Sequence, residues 1–304
     1  MLDGLNPAQF DAVVHKGGPL LVVAGAGSGK TRVLTHRIAH LMEEGLSPFE
    51  ILAITFTNKA AGEMKHRVGE LVGPVAQKMW ISTFHSACVR ILRRDVDRLG
   101  FPSRFSIYDQ SDAVRLVGYV IRDLNLDPKR FPPRSVHGSI SAAKNDNISA
   151  MLYAEDTQQI YERKIADVYF EYQKRLRSAG AMDFDDLLQR TVELFHTHPD
   201  VLDSWRRRFA HVLVDEYQDT NPVQNDLVLM LSEEHRQVTV VGDSDQSIYR
   251  FRGADIRNIL EFEEAFPDAS VVVLEQNYRS TQSILDAANA VIAKNAGRKP
   301  KDLW

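Results

Sequence analysis

The segment AGAGSGKT, residues 24–31, constrains the fold of this chain more than any other feature. It follows an apolar run at 20–23 and precedes an amphipathic segment at 32–42, which is the strand–loop–helix order of a phosphate-binding P-loop, with Ala24 replacing the usual first glycine. Glycines let consecutive backbone N–H groups point at phosphate oxygens, and the following helix N-terminus adds a favourable dipole. The segment therefore predicts a nucleotide site in which Lys30 reaches the β- and γ-phosphates and Thr31 is a ligand of Mg²⁺.

Short runs of branched apolar residues recur along the chain, and each has about the length of a strand buried on both faces. Most are followed by a small or polar turn and then by a segment with helical period. This alternation is typical of a parallel sheet, so we predict an α/β fold. The predicted strands are Leu20–Ala24, Ile51–Phe56, Val212–Val214, Val238–Val241 and Val271–Leu274.

The middle of the chain, from about residue 85 to 209, has little strand signal and much helical period. In Phe184–Phe195 the apolar side chains fall on one helix face, whereas 127–133 and 135–149 have the character of irregular segments. We therefore predict a mostly helical domain inserted between the second and third predicted strands. It holds 20 Lys and Arg against 18 Asp and Glu, so it is the more favourable part for contact with a polyanion.

Composition excludes several classes of protein. The net charge of −4 excludes a globally basic nucleic-acid coat, and the single cysteine, Cys88, excludes a disulfide framework or a multi-cysteine metal site. No apolar run approaches the roughly 20 residues that span a bilayer. The first residues also lack the pattern of a signal peptide. We therefore expect a cytoplasmic protein with no membrane partner.

A second chemical signal is the acidic pair Asp215 and Glu216, which follows the apolar residues 212–214. Two adjacent carboxylates at the end of a buried strand are costly unless they serve a cation or a reaction. Beside a P-loop, the pair predicts that Asp215 belongs to the Mg²⁺ shell and that Glu216 orients and deprotonates the attacking water.

The loops after other predicted strands carry amides, hydroxyls and aromatic rings. Because ligands bind outside the carboxyl ends of parallel strands, these loops are expected at the functional edge of the sheet. Gln246 suits a contact to the γ-phosphate, and the rings of Phe56, Tyr249 and Phe251 suit stacking on nucleic-acid bases. Hydroxyls and amides in 54–59 and 81–86 suit contacts to a phosphate backbone.

For several of these residues a structural role also fits the sequence. Gln9 could match the edge of an adenine or lie solvated on an N-terminal helix. His85 could be a structural hydrogen-bond partner, and Arg279 could pair with a phosphate or lie solvated at a strand end. The aromatic residues Tyr249 and Phe251 could instead pack a domain seam.

Together the motifs resemble those of one family, the superfamily 1A DNA helicases of the UvrD/PcrA/Rep type. Gln9 matches the Q motif of that family, and AGAGSGKT matches motif I. In the family order there follow ITFTNKAA (motif Ia), STFHS (the next DNA-contacting motif), LVDEYQDTN (motif II), VVGDSDQSIYRFRGA (motif III) and LEQNYRST (motif IV). The resemblance covers essentially the whole chain.

The resemblance implies specific roles for residues of this chain. Lys30, Glu216, Gln246 and Arg279 would be catalytic, with Gln246 sensing the γ-phosphate and Arg279 acting as an arginine finger. Thr31 and Asp215 would hold Mg²⁺. The implied nucleotide contacts are Gln9, Ala24, Gly25, Ala26, Gly27, Ser28, Gly29, Lys30, Thr31, Arg32, Tyr278 and Arg279. The implied contacts to single-stranded DNA are Phe56, Thr57, Asn58, Thr83, His85, Tyr249, Phe251 and Arg252.

The resemblance also implies a domain organisation. Residues 1–84 and 210–275 would form the first RecA-like ATPase lobe (1A), 85–209 the inserted helical DNA-binding subdomain (1B), and 276–304 the beginning of the second lobe (2A). Motifs V and VI of the family are absent, so we expect a part of a longer helicase that binds ATP and DNA but hydrolyses ATP very slowly and does not unwind. At position 251 many relatives carry Trp where this chain has Phe, whose smaller ring offers less stacking area.

By resemblance, the expected activity of the longer helicase is ATP-driven movement on single-stranded DNA in the 3′ to 5′ direction, which unwinds duplexes. ATP and Mg²⁺ would be its cofactors. Its partners would be single-stranded DNA, junctions of single-stranded and duplex DNA, and DNA-repair proteins, in repair or replication. The alternative for this chain is a nucleotide-gated DNA-binding or interaction module without motor activity. A small-molecule kinase would share only the P-loop and would not need the ITFTNKAA and DQSIYRFRGA loops.

Overall fold

A computed structural model of the chain describes residues 2–157, 159–295 and 298–304, with the exception of the side chain of Arg252. Its strands are β1 Leu20–Ala24, β2 Ile51–Thr55, β3 Trp80–Thr83, β4 Ser106–Tyr108, β5 Ala181–Asp183, β6 His211–Val214, β7 Val238–Gly242 and β8 Ser270–Leu274. Its helices are α1 Pro7–Val14, α2 Lys30–Glu43, α3 Asn58–Val72, α4 Phe84–Asp95, α5 Gln110–Asp123, α6 Pro133–Asn145, α7 Ala150–Asp156, α8 Ile160–Ser178, α9 Phe184–Thr197, α10 Pro199–Arg208, α11 Pro222–Ser232, α12 Arg257–Leu260, α13 Phe262–Ala265 and α14 Gln282–Ile292.

Within these residues a six-stranded sheet has the order β3-β2-β6-β7-β1-β8, and every neighbouring pair is parallel. Strands β1, β2, β6 and β7 are buried along their whole length, as expected where helices cover both faces of a parallel sheet. The predicted α/β fold class with a parallel sheet is therefore confirmed. Because all six strands run in one direction, the loops that follow them meet at one edge.

The chain divides into two compact units. The first consists of residues 1–84, 202–221 and 228–304, and contains the parallel sheet. The second consists of 85–201 and 222–227 and is mostly helical. None of the helices in the described ranges is both long and apolar enough to cross a membrane.

The helical unit differs from the sequence prediction in two places. A short parallel pair, β4 with β5, lies in a stretch where we predicted little strand. The segment 135–149 is not irregular, because α6 occupies most of it. Pro133 at the first helical position fixes a helical φ angle, and Val136 and Ile140 are buried at helical spacing. The serine, histidine and glycine residues between them obscured this pattern in the sequence.

A buried ionic cluster fixes the turn from β5 into α9 in the helical unit. The Lys144 ammonium lies 2.7 Å from Asp183 and 2.9 Å from Asp186, and the Tyr172 hydroxyl donates to Asp183 at 2.7 Å. Asp183 and Asp186 also form a capping box at the start of α9. Phe184, the first residue of α9, is therefore held on a rigid turn.

Candidate nucleotide and nucleic-acid site

The predicted P-loop connects β1 to α2 in the form that phosphate binding requires. Gly27 and Gly29 have φ angles of +72° and +95°, which side chains other than glycine rarely adopt. Gly29 is also the N-cap of α2 and therefore directs the helix N-terminus towards the loop. The buried Ser28 donates from its hydroxyl to the Gly25 carbonyl at 2.8 Å, which braces the loop from inside. Lys30 and Thr31 are the first two residues of α2, and Arg32, which follows them, is exposed.

The acidic pair lies at the carboxyl end of β6 and contacts the P-loop lysine. The Lys30 ammonium lies 3.3 Å from a Glu216 carboxylate oxygen. Glu216 has a left-handed backbone with φ of +52°, and its N–H donates to the Asp215 carboxylate at 3.0 Å. The structure therefore brings together three of the residues that the sequence assigned to catalysis and metal binding.

The electrostatics of this pair fit a bound cation. Burial, and secondly the neighbouring Glu216 carboxylate, raise the pKa of Asp215 from 3.8 to about 7. The same two causes raise the pKa of Asp219 to about 6. Both shifts show that burial, and secondly the nearby Glu216 carboxylate, disfavour the charged forms of Asp215 and Asp219, and a bound divalent cation would favour the charged forms instead.

Among the residues that the structure describes, no group of three or more His, Cys, Asp or Glu side chains is arranged to hold a metal ion. Mg²⁺ in nucleotide sites is usually held by one or two protein oxygens together with phosphates and waters. A single buried carboxylate, Asp215, and a hydroxyl, Thr31, therefore fit the Mg²⁺ of a nucleotide complex.

Gln218 is a site residue that sequence analysis missed. Its side-chain amide is buried, donates to Glu216 at 2.9 Å and accepts the Asp243 N–H at 2.9 Å. It thus joins the loop after β6 to the loop after β7. Its place in the LVDEYQDTN string was the available signal, but only the fold reveals the partner 25 residues away.

Gln246, the predicted γ-phosphate sensor, lies in the loop after β7. Its amide nitrogen donates to the Asp243 carboxylate, and the N–H of Gln246 donates to the Asp243 carbonyl at 2.9 Å. Asp243 is buried. Gln246 therefore has a defined position that depends on this carboxylate.

Gln9 is not solvated, so that alternative is wrong. It is buried on α1, where its amide oxygen accepts the Asn6 N–H at 3.2 Å and its amide nitrogen donates to the Ser28 carbonyl at 2.9 Å. An amide can donate two and accept two hydrogen bonds, so these contacts use half of its capacity. A side chain at Gly29 would lie 2.6 Å from the Gln9 amide nitrogen, which is a second reason for glycine there.

The loop after β8 lies against the P-loop and beside α1. The Tyr278 N–H donates to the Gly27 carbonyl at 3.0 Å, and the Tyr278 hydroxyl accepts from the Asn6 amide at 3.0 Å. The Tyr278 side chain is 58% exposed, so its ring can accept a further planar group. Arg279 is exposed, as in the solvated alternative, although its Cβ lies against Gly27.

Three aromatic rings predicted to contact DNA form a row in the sheet-containing unit. The Phe56 and Tyr249 rings lie 5.0 Å apart, and the Tyr249 and Phe251 rings lie 5.9 Å apart. Phe251 is 78% exposed. The row joins the loop after β2 to the loop after β7 and ends at this exposed ring.

The other predicted DNA contacts are not part of this aromatic row. The Thr57 hydroxyl caps α3 by accepting the Ala60 N–H at 3.1 Å, and the adjacent Asn58 is exposed. Thr83 is buried at the end of β3. The side chain of Arg252 lies outside the described part of the structure.

His85 belongs to the helical unit. Its ring lies 5.9 Å from that of Phe184, in an edge-to-face arrangement, and burial lowers its pKa. Phe184 is half exposed, and its place in an amphipathic helix gave no signal in the sequence that its ring lies beside His85.

Comparison with known proteins agrees with this geometry. The family model for the UvrD/REP helicase N-terminal domain matches residues 5–267. The chain belongs to the UvrD/REP helicase family. It is 56% identical over 305 residues to the ATP-dependent DNA helicase PcrA of Bacillus subtilis, and 55% identical over 316 residues to the ATP-dependent DNA helicase UvrD1 of Mycobacterium bovis. It is 51% identical over 305 residues to PcrA of Staphylococcus aureus.

These alignments cover all of this UvrD/REP-family chain but only 41–42% of each of the three relatives. The resemblance that the motifs predicted is therefore confirmed. The chain spans about two fifths of the length of the curated relatives that it matches.

Proposed function

We propose that the chain is the ATP-binding part of a DNA motor that moves on single-stranded DNA and separates duplex strands. One observation carries the proposal: a single edge of the parallel sheet holds both the Lys30–Glu216 pair and the aromatic row of Phe56, Tyr249 and Phe251. The loop after β7 contributes to both, because it contains Gln246 as well as two of the rings. ATP chemistry and DNA contact thus share one short segment.

The proposed chemistry follows from the positions of the residues. Lys30 and the backbone of 25–29 bind the phosphates, while Thr31 and Asp215 are the protein ligands of Mg²⁺. Bound Mg²⁺ supplies charge neutralisation at the phosphates. Glu216 accepts a proton from the water that attacks the γ-phosphorus. Gln246 contacts the γ-phosphate and transmits its presence to Tyr249, three residues further along the same loop.

The remaining roles rest on the same motifs. Gln9 and Tyr278 contact the base of ATP, Arg279 pairs with the transferred phosphate, and Ala24, Ala26 and Arg32 complete the nucleotide contacts. Thr57, Asn58, Thr83, His85 and Arg252 contact the DNA backbone or bases.

The domain assignment is part of this proposal. Residues 1–84 and 210–275 form ATPase lobe 1A, 85–209 form DNA-binding subdomain 1B, and 276–304 begin lobe 2A. The division into compact units at 84/85 and 201/202 supports the first boundary and lies close to the second. The names of the relatives support an action on DNA. On the basis of the shared motifs, we assign movement in the 3′ to 5′ direction on single-stranded DNA and at its junctions with duplex DNA. We also propose DNA-repair proteins as partners and the cytoplasm as the site of action.

A second candidate is a nucleotide-gated DNA-binding module without motor activity. The observation in its favour is that Arg279, the predicted arginine finger, is exposed. Loss of one arginine finger from a phosphoryl-transfer site costs about 10³–10⁵ in rate. Nucleotide binding without rapid turnover would then be the behaviour of this chain.

The deciding experiment measures ATP turnover by the 304-residue chain with and without single-stranded oligo(dT). We expect slow turnover that DNA stimulates, and DNA binding that weakens as salt rises because phosphate contacts release counterions. Lys30→Ala should abolish turnover and weaken Mg·ATP binding, whereas Lys16→Ala, at an exposed lysine paired with Glu44, should change neither. DNA binding without stimulation would favour the module, and failure to bind DNA would contradict both candidates.

A further inference from the structure

Residues 298–304, here called the strap, contact three loops of the nucleotide site. The Leu303 side chain lies so close to Gly25 that a Cβ atom there would be 2.3 Å from it. The Trp304 carbonyl accepts the Asn277 N–H at 2.8 Å, and the Trp304 N–H donates to the Glu275 carbonyl at 3.1 Å. The strap therefore contacts the P-loop and the loop after β8 simultaneously.

The third contact of the strap is a buried ionic cluster at the loop after β7. The Lys301 side chain is 2% exposed, and its ammonium lies 2.5 Å from Asp243 and 2.6 Å from Asp245. Arg298 lies 2.8 Å from Asp245. Removing one member of a buried ion pair is costly because it leaves the partner charged and unpaired. Lys301 of the strap thus neutralises the Asp243 carboxylate in the loop after β7, which would otherwise be a buried unpaired charge.

The carboxylate of Asp243 has a second task. One of its oxygens accepts from the Gln246 amide, while the other accepts the Asp245 N–H at 3.0 Å and lies against Lys301. Any shift of this carboxylate would therefore move the Gln246 side chain. Since a buried unpaired carboxylate moves towards water or takes up a proton, the charge of Lys301 determines where Gln246 is held.

We propose that Lys301 is a positioning residue that holds Gln246, through Asp243, in the place where it contacts the γ-phosphate. The inference rests on the proposed function of Gln246. It adds to that function a residue outside motifs I to IV, on a segment that also contacts the P-loop.

The test compares the affinity of the 304-residue chain for Mg·AMPPNP and Mg·ADP, by displacement of a fluorescent ADP analogue. Lys301→Met should reduce the preference for AMPPNP over ADP about tenfold, the scale of a lost hydrogen bond to a charged group, and leave ADP affinity within about twofold. Lys299→Met is the matched control. It removes the same charge from the same strap, but Lys299 pairs with Glu263 on α13, so the preference should not change.

A double-mutant cycle separates positioning from general loosening. In a Gln246→Ala background, Lys301→Met should have no further effect on the preference for AMPPNP, because the group that it positions is already gone. Equal weakening of AMPPNP and ADP by Lys301→Met, or full additivity with Gln246→Ala, would overturn the inference. If Gln246→Ala alone leaves the preference unchanged, the proposed role of Gln246 fails instead.

A second variant tests the inference if Lys301→Met does not fold. Should Lys301→Met not give a folded chain by circular dichroism, Lys301→Arg keeps the cation but changes its reach. It should retain ADP affinity and reduce the AMPPNP preference severalfold. An unchanged preference in a folded Lys301→Arg chain would also contradict the inference.

Discussion

The ammonium of Lys30 lies 3.3 Å from the carboxylate of Glu216. Lys30 begins the helix after the P-loop, and Glu216 follows a strand that is not adjacent to β1 in the sheet. The ion pair therefore joins two residues that are 186 positions apart along the chain, and it unites the residue proposed to bind phosphate with the residue proposed to activate water.

Glu216→Gln should spare Mg·ATP binding and reduce hydrolysis by roughly 10²-fold or more, the range for loss of a general base. The amide keeps the shape of the side chain, and Asp215 still supplies the metal shell, but the proton acceptor is lost. Single-turnover hydrolysis and equilibrium nucleotide binding measure the two effects separately. Glu44→Gln is the control, because Glu44 is also paired with a lysine but is exposed. A fall in nucleotide affinity in step with turnover would identify Glu216 as a binding residue.

Asp215→Asn should stabilise the chain at pH 8 in EDTA. The pKa of Asp215 in the folded chain is about 7 against an ordinary value of 3.8, so between these values the folded state binds more protons than the unfolded state. The contribution of Asp215 to the free energy of unfolding therefore falls as pH rises from 3.8 to 7. The loss is about 1.4 kcal/mol for each unit of pKa shift. Above pH 7 the carboxylate is charged in both states, so the full destabilisation is present. Asn carries no such cost.

Urea unfolding of both chains at pH 5, 6, 7 and 8 measures this difference. The advantage of the Asn variant should grow from pH 5 to pH 7 and then level off. The same substitution should weaken Mg²⁺-dependent ATP binding. A stability difference that does not vary with pH would mean that Asp215 is not protonated in the folded chain.

Local patterns of apolar and polar residues specify part of the fold. The runs at 20–24 and 238–241 are rich in branched apolar residues, with Thr239 as the one polar residue, so the sequence predicted their burial in β1 and β7. Strand β3 was harder, because Trp80–Thr83 is short and ends in hydroxyl residues; the predicted loop at 81–86 instead holds the end of β3 and the start of α4. The helix α6 was missed because small and polar residues separate its buried positions.

In the candidate site, too, some residues could be predicted from the sequence and others could not. Lys30 and Glu216 lie in motifs that carry their own context, so they could be named before the structure. Gln218 and Lys301 could not, because their importance lies in partners on other loops: Asp243 is 25 positions from Gln218 and 58 from Lys301. Such contacts depend on the order of strands in the sheet, which no local pattern specifies.

Arg37→Met should destabilise the chain by about 2–4 kcal/mol, because several buried acceptors lose their donor. The buried Arg37 side chain donates to the carbonyls of Ala12 and Val13, at 3.0 and 3.1 Å, and from Nε to the Thr239 hydroxyl at 2.8 Å. It thereby ties α1, which carries Gln9, to β7. We also expect weaker ATP binding, since α1 would lose its anchor.

Chemical denaturation and nucleotide titration measure these two effects. Arg37→Lys should not restore stability, because one ammonium cannot reproduce the fork of a guanidinium. Arg67→Met, on the exposed face of α3, should change stability by less than about 0.5 kcal/mol. Equal effects at the two positions would mean that Arg37 acts only as surface charge.

Phe251→Trp should strengthen binding of single-stranded DNA severalfold, and Phe251→Ala should weaken it about tenfold or more. The Phe251 ring is largely exposed at the end of the row that begins with Phe56, and stacking of a base on an aromatic ring contributes about 1–3 kcal/mol. A larger indole offers more area to the base. Fluorescence anisotropy with labelled oligo(dT) at fixed salt measures the affinities, and circular dichroism checks that the fold is retained.

Ile248→Trp is the matched control for this substitution, because Ile248 is 69% exposed in the same loop but lies outside the aromatic row. It adds the same indole without extending the row, so DNA affinity should stay within about twofold of the original chain. If Ile248→Trp strengthens binding as much as Phe251→Trp, the gain comes from any exposed aromatic group. The row of Phe56, Tyr249 and Phe251 would then not be the track along which bases stack.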